Sequence, residues 1–256
     1  MKIITWNVNG LRAILGKGAL EWAWEQRPDI LCLQEIKTRP EQLGEAHRLD
    51  PDYTAIWNPA ERPGYSGVAT FLRSIRLPAG EICLGMDAPQ FDVEGRVIQS
   101  RHPGFRLFNI YFPNGGRGYD RVIYKLDFYA HLLELCDRLH SQGEAIVITG
   151  DFNTAHQPID LKNPKQNGNI SGFMPEERLW VQKFLDHGFV DIYRRMNPDR
   201  VQYTWWTYRM DARRRGIGWR LDYFLISQAL LPRVREVTIH EDVPGSDHCP
   251  VELDLD

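Results

Sequence analysis

The stretch from Ala145 to His156, AIVITGDFNTAH, constrains what this chain can fold into more than any other. Ala145 to Thr149 is a compact apolar run rich in β-branched residues, the pattern of a strand buried on both faces. Gly150 is expected to end it. Asp151 and Asn153 follow, with Phe152 between them. Alternate side chains of an extended backbone share a face. Asp151 and Asn153 therefore point one way at a strand's carboxyl end, and Phe152 points to the core. A carboxylate beside a carboxamide suits a hard cation or a water about to attack. Gly, Asp and Asn are also ordinary turn residues, so the stretch alone leaves both readings open.

The same arrangement recurs along the chain. Lys2 to Trp6 reads as a strand leading to Asn7, and Ile30 to Leu33 as a buried strand leading to Glu35 and Lys37. Between them a helix is expected from Lys17 to Arg27, stopping before Pro28. Ser66 to Leu72, Arg96 to Ser100 and Leu107 to Phe112 read as strands, the last running into Tyr111 and Asn114. Asp120 is a candidate N-cap for a long helix reaching Ser141. Its apolar stripe is Val122, Leu126, Tyr129, Leu133 and Cys136, and Gly143 closes it. Residues 157–173 read as a long polar loop, a form that is often functional. Pro175 to His187 is a second helix. Leu221 to Ile226 is a strand carrying Asp222. Val251, Leu253 and Leu255 alternate with acids in a last, half-buried strand. Asp247 and His248 stand directly before it. Short strands with interspersed helices and no clear boundary point to one α/β domain, residues 1–256, with mixed sheets.

At 256 residues the chain can bury a large core. Its formal charge of -3 excludes a polycation, so any nucleic-acid contact must use local positive charge. Cys32, Cys83, Cys136 and Cys249 show no metal-binding spacing and suit a reducing compartment. The absence of a signal-peptide pattern or long apolar span leads to the expectation of a cytoplasmic, nucleoid-associated protein away from membranes.

Asn7, Glu35, Tyr111, Asn114, Asp151, Asn153, Asp222, Asp247 and His248 would form one pocket if the strand ends converge. Glu35, Asp151 and Asp247 are hard oxygen ligands, suited to Mg²⁺ or Mn²⁺. His248 could donate to a phosphoryl oxygen, and Asp222 could hold it charged. A second feature runs from Tyr203 to Arg220. It holds Arg209, Arg213, Arg214, Arg215 and Arg220 among Trp205, Trp206 and Trp219. Arginines neutralise phosphates and aromatics stack or wedge against bases. A solvated charge run beside core tryptophans is the plainer reading of that feature taken alone.

The runs KIITWNVNGLRA, PDILCLQEIK, GYSGVA, EGRVI, YFPNGGRG, TGDFNTAH, IDLKNPK, YTWWTYR, GWRLDYFLIS and GSDHCPVEL span nearly the whole chain. In that order they resemble the exonuclease III family of apurinic/apyrimidinic endonucleases, in its human-type branch. The resemblance implies a four-layered α/β sandwich of two mixed β-sheets flanked by helices, the DNase I-like fold. It implies Mg²⁺-dependent hydrolysis, with Mn²⁺ as a substitute, of the phosphodiester 5′ to abasic sites in double-stranded DNA. The products are a 3′-hydroxyl and a 5′-deoxyribose phosphate, and 3′-to-5′ exonuclease and 3′-end trimming accompany this activity. Carried over by position, Glu35 is the main metal ligand, with Asn7, Asp247, Asp151, Asn153 and His248 around it. Asp151 and Asn153 orient the attacking water, His248 paired with Asp222 meets the developing charge, and Tyr111 and Asn114 place the scissile phosphate. Arg12, Lys37, Tyr65, Arg117, Asn163 and Asn167 contact the DNA backbone. Trp205, Trp219 and Leu221 line a pocket for a base-free sugar. Position 9 is Asn where human-type relatives carry Asp, which removes one charge beside the metal. A monomer is expected. The alternatives are a same-fold phosphoesterase acting on lipid or inositol phosphates and a non-catalytic DNA-binding scaffold.

Overall fold

The computed structural model describes residues 1–44, 49–73 and 81–256. Its strands are β1 (Lys2–Asn7), β2 (Ile30–Gln34), β3 (Tyr53–Asn58), β4 (Val68–Arg73), β5 (Ile82–Leu84), β6 (Val97–His102), β7 (Phe105–Tyr111), β8 (Ile146–Asp151), β9 (Phe189–Asp191), β10 (Asp222–Ser227), β11 (Val234–Ile239) and β12 (Val251–Leu255). They form two six-stranded sheets, ordered β11-β12-β1-β2-β4-β3 and β5-β6-β7-β8-β10-β9. At the centre of each lies one parallel pair, β1 with β2 and β7 with β8, and the remaining pairs are antiparallel.

The two-residue period of a strand explains the layering. Ile3, Ile30 and Cys32 of the first sheet meet Leu107, Val147 and Phe224 of the second in one buried core. Their neighbours Ile4, Leu31 and Leu33 point outward and pack with Leu11, Ile14 and Trp24. Ile146 and Ile148 point out to Phe128, Leu132 and Phe184, on the helices Tyr119–Ser141 and Pro175–Asp186. Both sheets are thus covered on both faces, which is why their central strands read as unbroken apolar runs. The result is the expected four-layered sandwich.

One polar layer interrupts the apolar interior. Gln34 Nε2 donates to Thr5 Oγ1 (2.8 Å) and to Asn109 Oδ1 (2.7 Å). Asn109 Nδ2 donates across to Thr70 Oγ1 (3.0 Å) and Ala69 O (2.9 Å). All four side chains are fully buried and tie β7 of the second sheet to β1, β2 and β4 of the first.

Several local expectations are corrected. Gly150 does not end its strand, and β8 continues to Asp151. A Cβ at Gly150, which has φ +130°, would lie 2.0 Å from Ile110 O, so glycine permits β8 to lie against β7 there. The helix expected over 17–27 is instead two short ones, Leu11–Gly16 and Glu21–Glu25, because Gly18 adopts φ +65° between them. The N-cap of the long helix is Gly118, and Asp120 sits in its first turn, where its charge opposes the helix dipole. Leu126 is only half-buried, and Lys125 is fully buried on that face instead. The loop 157–173 contains the short helical segments Pro158–Asp160 and Pro164–Asn167. No helix among the described residues is long and apolar enough to cross a membrane.

Candidate active site

The inward period that places Ile3, Val147 and Phe224 in the core also dictates what lies at its mouth. Counting by twos along the same faces reaches Asn7 on β1, Tyr111 on β7, Asp151 on β8 and Asp222 at the start of β10. Asp222 stands opposite Asp151 in register, as does Tyr111. The turn before β12 brings Asp247 and His248 to the same end, since β12 runs antiparallel to β1.

These groups are joined by hydrogen bonds. Asn7 Nδ2 bridges Glu35 Oε2 (3.1 Å) and Asp151 Oδ2 (2.8 Å), while its Oδ1 accepts from Asn9 N. Asn153 N caps Asp151 Oδ1 at 2.8 Å, and Asn114 Nδ2 donates to Asn153 Oδ1 at 2.8 Å. His248 Nδ1 meets Asp222 Oδ2 at 2.8 Å, and its Nε2 lies 3.7 Å from Asp151 Oδ2. Asp247 accepts from Asn9 Nδ2 and Trp205 Nε1. Glu35 and Asn153 carry positive φ (55° and 50°), backbone strain of the kind that gathers at functional sites.

Burial drives the electrostatics. It pushes the Asp151 carboxyl above the ordinary range, the neighbouring His248 charge pulls it back, and Asp222 pushes it up again. For His248, burial alone would disfavour the charged ring, but Asp222 and Asp151 outweigh it and raise the pKa. The imidazole is therefore a cation at neutral pH. Burial also holds the Tyr111 phenol well above its usual range, so it stays a donor. Behind it lies Arg96, fully buried, which donates to Tyr111 O (2.8 Å) and lies 4.8 Å from the ring. The run EGRVI carries this arginine, which is absent from the residues expected at the site. A charged residue opening an apolar strand was the available signal.

A cavity of about 290 Å³ opens over these groups, lined by Asn9, Glu35, Tyr111, Asn114, Asp151, Asn153, Asp247 and His248 on one side. Ser171, Gly172, Trp205, Trp219 and Leu221 form the other. Trp205 and Trp219 meet edge to face at 6.3 Å. Asn7 and Asp222 lie beneath the floor and do not line it. Lys37 sits at the rim, 2.9 Å from Glu35 Oε1. Tyr65 and Arg117 line a separate cavity of about 390 Å³ with Arg62, Glu94 and Arg121. Arg12 is exposed on its helix. Asn163 and Asn167 lie outside both cavities, and Asn167 Nδ2 donates to Asn163 O.

The arginine stretch divides. Arg220 does not face a phosphate: it is fully buried, paired with Asp160 (2.8 Å) and Asp191 (2.6 Å). Arg213 folds onto the ring of Trp206, itself buried, and donates to Glu241 O and Val243 O. Arg209, Arg214 and Arg215 remain exposed.

The donors around the cavity are oxygens and one imidazole, with no thiolate, which is the chemistry of a hard divalent cation. The ligand atoms of Asp151, Asp222 and His248 lie within 4.8 Å of one another and could hold a metal. Asp222 Oδ1 is buried without a hydrogen-bond partner. A metal ligand must be a neutral imidazole, however, and the carboxylates on both His248 nitrogens favour the charged ring. The more open carboxylates of Glu35 and Asp247 fit a cation better. Lys37 already shows that Glu35 attracts one.

An imidazolium between two buried carboxylates, beside open carboxylates at the mouth of a two-sheet sandwich, has the chemistry that hydrolysis of a phosphate ester requires. The sequence profile of the Endonuclease/Exonuclease/phosphatase family matches residues 4–248. The chain belongs to this family, in its branch of exodeoxyribonucleases and AP endonucleases, and is a DNA-repair nuclease. It is 43% identical over 255 residues to the exodeoxyribonuclease of Bacillus subtilis (strain 168), covering 99% of this chain and 98% of that one. It is 44% identical over 262 residues to DNA repair nuclease APEX1 of Danio rerio, covering 100% and 82%. Among solved structures, the AP endonuclease from Archaeoglobus fulgidus matches with TM-score 0.88 at 30% identity, covering 100% and 99%. The 3′ phosphatase NExo from Neisseria, bound to a product DNA hairpin, matches with TM-score 0.90 at 30% identity and the same coverage.

Proposed function

We propose that this enzyme hydrolyses the phosphodiester on the 5′ side of an abasic site in duplex DNA, with 3′-to-5′ exonuclease and 3′-end trimming as accompanying activities. One observation carries the reading: the charged floor of Asp151, His248 and Glu35 opens directly onto an apolar wall of Trp205, Trp219 and Leu221. A base-free sugar can rest against that wall, while an attached base would have to displace it.

Each residue then has work to do. Asp151 orients the attacking water and accepts its proton, a task suited to a carboxyl raised toward neutrality. Asn153 and Asn7 hold that carboxylate in place by hydrogen bonds. The new bond forms from water oxygen to phosphorus, the bond to the preceding nucleotide's O3′ breaks, and that oxygen takes up a proton from solvent. A 3′-hydroxyl and a 5′-deoxyribose phosphate result. His248, kept charged by Asp222, donates to the non-bridging oxygen on which charge builds. Tyr111 and Asn114 supply further donors to the phosphate. Glu35 and Asp247, with Asp151 and Asn153 beside them, would hold Mg²⁺ or its substitute Mn²⁺, while charged His248 and the buried Asn7 stay outside that ligand set. When bound, that ion supplies Lewis-acid stabilisation of the phosphoryl oxygen. Arg12, Lys37, Tyr65, Arg117, Asn163 and Asn167 would grip the flanking strand. We place the protein, as a monomer, in the reducing cytoplasm at the nucleoid, which agrees with its four free cysteines.

The test is a duplex carrying one tetrahydrofuran abasic analogue, incubated with Mg²⁺ or with chelator, the products being sized and their ends typed. Incision 5′ to the analogue, abolished by chelator, is the expected result. Cleavage of inositol or lipid phosphates in its place would overturn the reading, as would tight DNA binding with no turnover.

A further inference from the structure

Behind the cavity lies an ion pair that the proposed chemistry does not use. Lys125, on the core face of the helix Tyr119–Ser141, and Glu177, in the first turn of Pro175–Asp186, are both completely buried and meet at 2.8 Å. Burying two charges is costly, and an apolar pair of similar size is often the more stable choice. The hydrogen bonds indicate what the charges achieve.

Lys125 Nζ also donates to the backbone carbonyl of Asn153 at 2.7 Å. Glu177 Oε1 accepts from Ser171 Oγ at 2.9 Å, in addition to Lys125. Its Oε2 accepts from Gly172 N (2.6 Å) and Met174 N (3.1 Å). Four donors saturate a carboxylate's acceptor sites, which no apolar residue could reproduce. Gly172 O in turn accepts from Ala155 N at 2.8 Å. The pair thus joins the Asn153 backbone, whose side chain holds Asp151 and Asn114, to the segment 171–174. Its first two residues, Ser171 and Gly172, wall the cavity. Gly172, at φ +100°, lies so close to Trp219 that a Cβ would come within 3.2 Å of its ring.

We infer that Lys125 and Glu177 are positioning residues for damage recognition: their buried pair sets the Ser171–Gly172 wall against Trp219 while fixing the Asn153 backbone carbonyl, two residues from Asp151. The inference rests on the abasic-site reading for its substrate, and on the hydrogen bonds alone for its geometry. A misplacement of this wall by a fraction of an ångström would cost the orientation of the sugar, and with it the rate.

The test has two arms, both on the full chain, using Lys125→Met, Glu177→Gln and the conservative Lys125→Arg. The first needs no substrate. Amide exchange at Ala155, Gly172 and Met174 is expected to speed up by ~10-fold or more in Lys125→Met and Glu177→Gln, relative to amides of β7 and β8 in the same sample. Lys125→Arg should restore most of the protection. The second arm measures turnover on the abasic duplex, and affinity for abasic and undamaged duplexes in chelator. Turnover is expected to fall ~10-fold, and the preference for abasic DNA to shrink at unchanged affinity for undamaged DNA, with Lys125→Arg again recovering. Unchanged exchange at the three amides, or lowered melting temperature with wild-type turnover and preference in the folded protein, would overturn the inference. If the wild-type chain itself shows no preference for abasic DNA, the functional reading falls, and the exchange arm still decides whether the pair sets the wall.

Discussion

The two sheets follow one plan. Each has a parallel pair at its centre and antiparallel strands to either side, so β1, β2 and β4 correspond to β7, β8 and β10. The corresponding mouth positions nonetheless differ in chemistry. In the second sheet Tyr111, Asp151 and Asp222 stand side by side in register. In the first sheet the same positions hold Asn7, Gln34 and Val68, none of them charged. The first sheet's carboxylate comes one residue later, from Glu35, outside the strand and half-open. One sheet thus buries a pair of acids that needs the His248 cation between them. The other offers the more open acids Glu35 and, from the turn before β12, Asp247, which a mobile cation can reach. A repeated scaffold becomes a catalyst by being unlike itself at matching positions.

That contrast can be broken from either side. The largest effect is expected at the buried acids: Asp151→Asn or His248→Ala should lower turnover about 10³-fold, ~4 kcal/mol of barrier. Affinity for abasic duplex should stay near wild type, as a binding measurement in chelator would show. Next, Val68→Asp gives the first sheet the acid that the second carries, but without a histidine to meet it. Burying that unpaired charge should cost about 3 kcal/mol of stability by urea denaturation, and a near-neutral result would mean that the sheets tolerate the same chemistry after all. Third is a pH effect. Burial works against the Asp160 carboxylate, but Arg220 and Arg194 hold it down to about 2. A folded pKa below the unfolded one stabilises the protein above about pH 4, and this stabilisation is lost as pH falls toward 2. It amounts to about 2 kcal/mol, and Asp160→Asn should flatten that part of the stability–pH curve. The smallest shift is expected at Glu35. Glu35→Gln should raise the Mg²⁺ concentration for half-maximal activity ~10-fold, with the maximal rate approached again at high Mg²⁺.

The parts of the site on long buried strands were legible in the sequence because two-residue periodicity carries side-chain direction from the core to the strand's end. Asp151, Asn7, Tyr111 and Asp222 are all found that way. What periodicity could not convey is pairing across long sequence separations. Arg220 reads as one more member of a basic run until Asp160 and Asp191 are seen on either side of it. Lys125 interrupts an apolar stripe, and only Glu177, 52 residues away, explains why. The edge strands β3, β5, β9 and β11 went unread for a different reason. Each is short or partly exposed, so its residues lack the apolar signature that burial on two faces imposes.

The buried amides and hydroxyls of Thr5, Gln34, Thr70 and Asn109 carry a last consequence. Two purely greasy faces can slide over one another at little expense, because dispersion is indifferent to direction. Directional bonds between the sheets are not indifferent: any slip breaks them where no water can take their place. The gap across which Glu35 faces Asp151 is therefore gauged from inside the sandwich, and shortening Gln34 or Asn109 would disturb the active site's calibration before it unfolded the protein.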